Sequence, residues 1–282
     1  MMGYLKRSIL AVILGLGICF QMQAQNFALP RPPQDMKSIP ARAGYVVEHY
    51  WDNADLASIS ERDMEQAFVN YLSVFPLTES DSLCHASAGH LMSRADSVGV
   101  AGRVLVLAEK YLFNADSPML EEEYFLGFVS GAGECSSISE EQRIRIPYWQ
   151  NIISCNRRGM PVEDFCFETA GGTLRYFSSV PGPKLLLLFD TDCSDCREMI
   201  ESLSNETLDF TVVAVAVNCT RKRFRSFLPS LPSDWVAGWD STGRINGDVF
   251  AIRHLPDVFL VDSDGIVLQK HRVDALQGQS KP

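Results

Sequence analysis

Cys193-Ser194-Asp195-Cys196 places two thiols two residues apart. That spacing can close a disulfide and open it again, with the thiolate as the attacking species. The apolar run Lys184-Leu185-Leu186-Leu187-Leu188-Phe189 precedes the pair, and a helix-like stretch from Arg197 to Leu203 follows it. A buried strand would therefore deliver both cysteines to the first turn of a helix. There the free backbone N–H groups and the helix dipole favour negative charge on the first sulfur. Asp190, Asp192 and Asp195 act in the opposite direction, because like charge disfavours a thiolate. A thiolate held back in this way makes the reduced form less favoured, so the centre is expected to be a weak oxidant. The competing reading of the same residues is a permanent structural disulfide.

The elements that must position this pair follow a pattern that changes near residue 157. Residues 58–156 read as helices. Ser58 and Glu61 suggest a capping box ahead of Met64, Ala67, Phe68, Tyr71, Leu72 and Phe75, which share a face. Further helices are expected over 81–97, 101–113 and 121–130. A last one opens at Ser139 with Gln142, ends near Asn156 and has Pro147 as a kink. Asn26 to Pro40 holds four prolines and reads as an extended linker. Beyond Gly159 the segments are short. Phe165-Cys166-Phe167 and Leu174 to Phe177 flank Gly171-Gly172 as a hairpin. Leu185 to Phe189 and Phe210 to Val217 are continuous apolar strands, as buried parallel strands are. Arg221 to Leu228 reads as a basic solvated helix. Asp257 to Val261 and Ile266 to Gln269 are strands joined through Asp262-Ser263-Asp264-Gly265. The order gives a mixed sheet with helices on its faces.

The start of the chain reads as a secretory leader: Lys6 and Arg7, then apolar Ile9 to Phe20, then a cleavage site at Ala24. An uncleaved anchor and a lipoprotein acylated at Cys19 are the alternatives. The expected division is a leader over 1–24, a linker over 25–40, a helical domain over 41–156 and an α/β domain over 157–282. Export, to the periplasm in this reading, places the remaining thiols Cys84, Cys135, Cys155, Cys166, Cys193, Cys196 and Cys219 in a disulfide-permissive compartment. Their number is odd, so at least one is free or pairs with another chain. Cys84, Cys135 and Cys219 read chiefly as small buried residues, and the pairing of the others stays open. With 35 acidic against 25 basic residues the formal charge is −10, which argues against nucleic-acid partners. No Cys/His grouping has zinc spacing, so no metal or other cofactor is expected. Soft-metal delivery through Cys193, Cys196 and His254 is the weakest reading, since no Met or His cluster completes a shell.

Residues 157–282 resemble the thioredoxin-like superfamily, and within it the exported TlpA/ResA-type thiol-disulfide oxidoreductases. The resemblance rests on Pro161-Val162-Glu163-Asp164-Phe165, Leu185 to Cys196, His254-Leu255-Pro256-Asp257-Val258-Phe259-Leu260-Val261-Asp262, and Asp264-Gly265. It implies an α/β thioredoxin-like fold, a mixed central sheet with flanking helices, preceded by an all-α domain. It implies that Cys193 is the nucleophile, Cys196 the resolving thiol and Pro256 a cis proline, with the Leu255 backbone pairing to substrate in β fashion. Asp192 and Asp195 would lie on the substrate side of the pair. Asp192 stands where the family commonly has Trp, and Asp195 where Pro or His is common. Leu187 takes the place of the buried acid of thioredoxin itself, which removes a proton acceptor for Cys196. The front half, with Glu48-His49-Tyr50-Trp51-Asp52-Asn53, looks like a domain of unknown function that precedes such modules. The resemblance implies thiol-disulfide exchange as a reductase or isomerase. Its partners would be protein or peptide thiols and disulfides, with a membrane-linked electron donor to regenerate the dithiol. A non-catalytic envelope binding protein on the same scaffold is the alternative function.

Overall fold

The computed structural model describes residues 27–271. The expected leader, its cleavage site and the tail from Asp274 lie outside these residues. The chain divides into two compact units, one ending at Leu83 and the other starting at Cys84. Among the described residues, no helix is long and apolar enough to cross a membrane.

The first unit opens with α1, Ile39–His49. Ser38 caps it by accepting from the Ala41 N–H, and Pro40 sits in the first turn, where its missing N–H costs nothing. The following helix, α2, spans Glu61–Leu72. Its cap is Ser60, which accepts from the Asp63 N–H at 3.2 Å, and not the expected Ser58. Ser58 instead donates its hydroxyl to Asp55 at 2.7 Å, so the helix cap lies two residues beyond the one that the Ser58–Glu61 spacing implies. Tyr50, Trp51, Tyr71 and Phe75 pack edge-on or tilted with centroids 4.7–5.6 Å apart, and all four are buried.

Helix α3 runs Asp81–Ser97, and α4, Ala101–Ala108, passes into a π-helical turn at Glu109–Phe113. Helix α5 is Glu122–Ala132 and α6 is Glu140–Ser154, with Pro147 inside it. The capping box at Ser139 and Gln142 is formed in both directions, at 2.9 and 3.1 Å. Gly127 lets α5 come close to α3, because a methyl there would stand 2.8 Å from the His85 Cα.

A seven-stranded mixed sheet follows: β1 Cys166–Thr169, β2 Leu174–Tyr176, β3 Lys184–Phe189, β4 Thr211–Ala216, β5 Val236–Trp239, β6 Asp257–Val261 and β7 Val267–Lys270, in the order β2-β1-β5-β4-β3-β6-β7. The β3–β4 and β4–β5 pairs are parallel and the others antiparallel. Every residue of β3 is buried, and the period of two divides them between two cores. Leu186 and Leu188 join Phe165, Phe167, Phe177, Val213 and Val215 on one face. Leu185, Leu187 and Phe189 join Cys196, Ile200, Leu203 and Phe224 on the other. That second face is covered by α7, Ser194–Ser204, and α8, Arg221–Phe227.

Strand β5 carries no sequence signal, since Val-Ala-Gly-Trp is short and contains a glycine. The glycine is there because β1 crosses close by. A methyl on Gly238 would meet the Phe167 ring and lie 2.9 Å from the Glu168 carbonyl oxygen. Gly238→Ala is expected to destabilise the fold by about 1–3 kcal/mol through overpacking, read as a lowered denaturant midpoint.

Candidate functional site

Strand β3 ends at Phe189, and Asp190-Thr191-Asp192 turns the chain into α7. The turn is fixed locally: the Asp190 carboxylate accepts from the Asp192 N–H at 2.9 Å, and its carbonyl accepts from the Cys193 N–H at 3.3 Å. Helix α7 forms because Cys196, Ile200 and Leu203 recur on one face and are buried against the sheet. Cys193 is its N-cap, and the capping acceptor is the sulfur itself, 3.1 Å from the Cys196 N–H. The half-buried Cys193 thiol also donates to the Leu255 carbonyl at 3.6 Å, and the Leu255–Pro256 peptide bond is cis. Both thiols thus stand at one helix tip, with the proline loop against the first.

Cys196 is fully buried, and all seven cysteines among the described residues are free thiols. Burial pushes the Cys196 thiol up to about 12; the hydrogen bond with Cys193 raises it too. Leu187 is buried in the same apolar cluster as Cys196 and offers no proton acceptor. Cys219, just past β4, packs half-buried on that cluster, and burial followed by the Asp190 charge lifts it to about 11. Cys84 and Cys135 are buried, whereas Cys219 is more open than the reading as a small buried residue implies. Asp192 is exposed and pairs with Arg223 of α8 at 2.8 Å, so part of the negative charge beside the dithiol is compensated. Asp195 is exposed and accepts from the Ser194 hydroxyl at 3.2 Å. Among the described residues, no group of three or more His, Cys, Asp or Glu side chains gathers as a metal site.

The sequence does not announce what holds the proline loop. Arg253, two residues before Leu255, reaches Glu122 Oε1 of α5 at 2.5 Å, donates to the Phe113 carbonyl and lies 3.9 Å over the Phe113 ring. Asp257, just after Pro256, accepts from His271 Nδ1 at 2.8 Å. Lys270 Nζ stands 2.5 Å from Glu122 Oε2, and His271 Nε2 stands 3.3 Å from Glu122 Oε1. Glu122 and Asp257 are each 1 % exposed. Burial alone would raise the Glu122 carboxyl, but His271, Lys270 and Arg253 outweigh it and hold the group at about 2. Burial would likewise lower His271, yet the Asp257 and Glu122 carboxylates bring it to about 9. The flanking acids make similar contacts: Glu123 pairs with Arg157 at 2.8 Å and Glu121 with Arg158 at 3.3 Å. The acidic triplet at the start of α5 therefore grips the α/β module, and its middle member holds the loop that faces Cys193. The available signal was three successive acids opening an otherwise apolar helix, which fits an ordinary helix start equally well.

The mixed sheet, the dithiol at a helix tip and the loop facing it define a thioredoxin-like fold preceded by helices. A thioredoxin-like protein from Bacteroides caccae superposes with a TM-score of 0.79 over 90% of this chain and 97% of its own, at 23% identity. The C-terminal domain of an uncharacterized protein from Bacteroides fragilis matches 45% of this chain and 100% of its own, at 20% identity and a TM-score of 0.43. A proposed thiol:disulfide interchange protein DsbE from Chlorobium tepidum matches 43% of this chain and 94% of its own, at 23% identity and a TM-score of 0.37. The chain belongs to the DUF5106 family, a domain of unknown function, matched over residues 14–156. No curated protein matches it significantly.

Proposed function

We propose that the protein is an exported thiol-disulfide oxidoreductase working as a reductase or isomerase through Cys193 and Cys196. The observation that carries this reading is the unequal environment of the two sulfurs. Cys193 is reachable at a helix N-cap and touches the Leu255 carbonyl, while Cys196 is sealed and keeps its proton. Cys193 thiolate attacks a substrate disulfide, one substrate sulfur leaves and takes a proton, and a mixed disulfide remains. Cys196 then gives up its proton and attacks the Cys193 sulfur. The second substrate thiol departs and a Cys193–Cys196 disulfide is left, for a dithiol donor to reduce. In isomerase work a substrate thiol displaces Cys193 instead. The Leu255 backbone pairs with the extended substrate, and Pro256, Asp192 and Asp195 border it. The leader-like Lys6 to Ala24 supports action outside the cytoplasm.

The redox potential of the pair tests this directly. A value of roughly −200 to −300 mV, in the span of glutaredoxin- and thioredoxin-type centres, is expected. A value well below about −300 mV makes the bond a structural disulfide and the protein a binding scaffold. Cys196→Ser is expected to accumulate mixed disulfides on Cys193, seen as dithiothreitol-sensitive adducts by mass spectrometry. Absence of adducts in the presence of disulfide substrates removes the exchange reading.

A further inference from the structure

Helix α8 carries Arg221, Lys222, Arg223 and Arg225 and no acid, in a chain of formal charge −10. On sequence it reads as a solvated face. In the fold it forms one wall of an open cleft of about 920 Å³ whose other wall is α7. The cleft begins at Thr191 and Asp192, immediately before Cys193, and Arg197, Lys222 and Arg223 line it together with Glu201. Arg197 is oriented by donating to the Thr191 carbonyl at 2.8 Å. Arg223 is engaged by Asp192, and Arg221 by Glu168 at 3.0 Å. Among the described residues, Arg197, Lys222 and Arg225 have no carboxylate partner. A second hollow, bounded by Arg221, Lys222, Arg225 and Ser226, continues the basic surface around α8.

We propose that this cleft receives an acidic segment of the protein substrate, flanking the disulfide that Cys193 attacks. The inference rests on the exchange reading above and adds the substrate class. A chain whose sulfur reaches Cys193 must run on past it, and one of its two exits is the cleft that starts at Asp192. At physiological ionic strength charges are screened over about 8 Å, so the segment responds to the charges lining the cleft, Arg197, Lys222 and Arg223 against Asp192 and Glu201, and not to the net charge of the protein. Lys222 and the guanidinium of Arg197 then gain carboxylate partners that the fold itself does not supply.

The test uses three peptides that share one disulfide and differ only in four flanking residues, all Glu, all Gln or all Lys. Cysteine-free fluorescent versions provide a binding readout. The acidic disulfide is expected to have a kcat/KM about five- to tenfold above the neutral one, as two or three exposed ion pairs allow, with the basic one lowest. The acidic-to-neutral ratio is expected to fall to about one in K222E/R225E, and to fall toward one in wild type at about 0.5 M salt, where the screening length is roughly half its physiological value. The cysteine-free acidic peptide is expected to bind wild type more tightly than K222E/R225E. Equal rates and equal binding for all three flanks overturn the proposal and leave exchange standing. If no peptide is reduced, the exchange reading fails, and tighter binding of the cysteine-free acidic peptide alone still supports the cleft as an acidic-segment site. Co-sedimentation with phosphatidylglycerol vesicles without any preference among the peptides assigns the basic surface to lipid and overturns the proposal.

Discussion

Glu122→Gln is expected to cost about 3–5 kcal/mol, although the side chain keeps its shape. The carboxylate is buried where Arg253, Lys270 and His271 converge, and removing its charge leaves His271 with Asp257 and leaves Arg253 and Lys270 with backbone carbonyls alone. An uncompensated buried charge is far more costly than the pair it came from. The denaturant midpoint measures the loss. A double-mutant cycle with Lys270→Met separates coupling from simple truncation, with an expected coupling of about 1–3 kcal/mol. Additive losses would mean that the contacts at 2.5 Å do not act as one network. Because Arg253 and Asp257 bracket Leu255-Pro256, whose carbonyl Cys193 contacts, the variant should also change the rate at which Cys193 is alkylated; a purely structural Glu122 would leave that rate in place.

The same cluster sets the pH limits of stability. The folded value for His271, about 9, lies above the unfolded value of about 6.5. Its contribution is therefore complete below about pH 6.5, fades as the pH rises, and is gone above about 9. Its upper size is on the order of 3 kcal/mol. Glu122 behaves in the opposite sense. Held at about 2 from an ordinary 4.5, it stabilises fully above pH 4.5 and loses that contribution as the pH falls toward 2. Cys196 and Cys219, raised to about 12 and 11 from 9, take over the alkaline decline only beyond pH 9. Unfolding free energy is thus expected to be flat between about pH 4.5 and 6.5 and to fall on both sides. His271→Asn should flatten the arm between 6.5 and 9 and leave the steeper fall above 9. If that middle arm persists in the variant, His271 is not its source.

Most of the sheet could be read from the chain. The continuous apolar runs of β3 and β4 and the hairpin glycines require buried and turning backbone whatever surrounds them. The strand–cysteine–helix order located the dithiol for the same reason, since Cys196, Ile200 and Leu203 are already spaced for a buried face. Strand β5 could not be read, because its four residues become a strand only through their neighbours β4 and β1. Nor could the Glu122 cluster. Glu122 stands more than a hundred positions from Arg253, Lys270 and His271, and each has an ordinary local explanation as helix-start acid, loop arginine or strand-end residue. Ser58 and Ser60 show the remaining ambiguity: two hydroxyls within three residues compete for one helix start, and the Asp55 carboxylate decides by taking Ser58.

That Cys193 caps its helix with sulfur links chemistry to fraying. Once this atom is bonded to a substrate sulfur it accepts poorly, and the first turn of α7 loses a cap of the order of 1 kcal/mol. The amide released belongs to Cys196. In the proposed exchange, capture of a substrate would therefore loosen the backbone of Cys196, the residue whose sulfur attacks next, so that the mixed disulfide favours its own resolution.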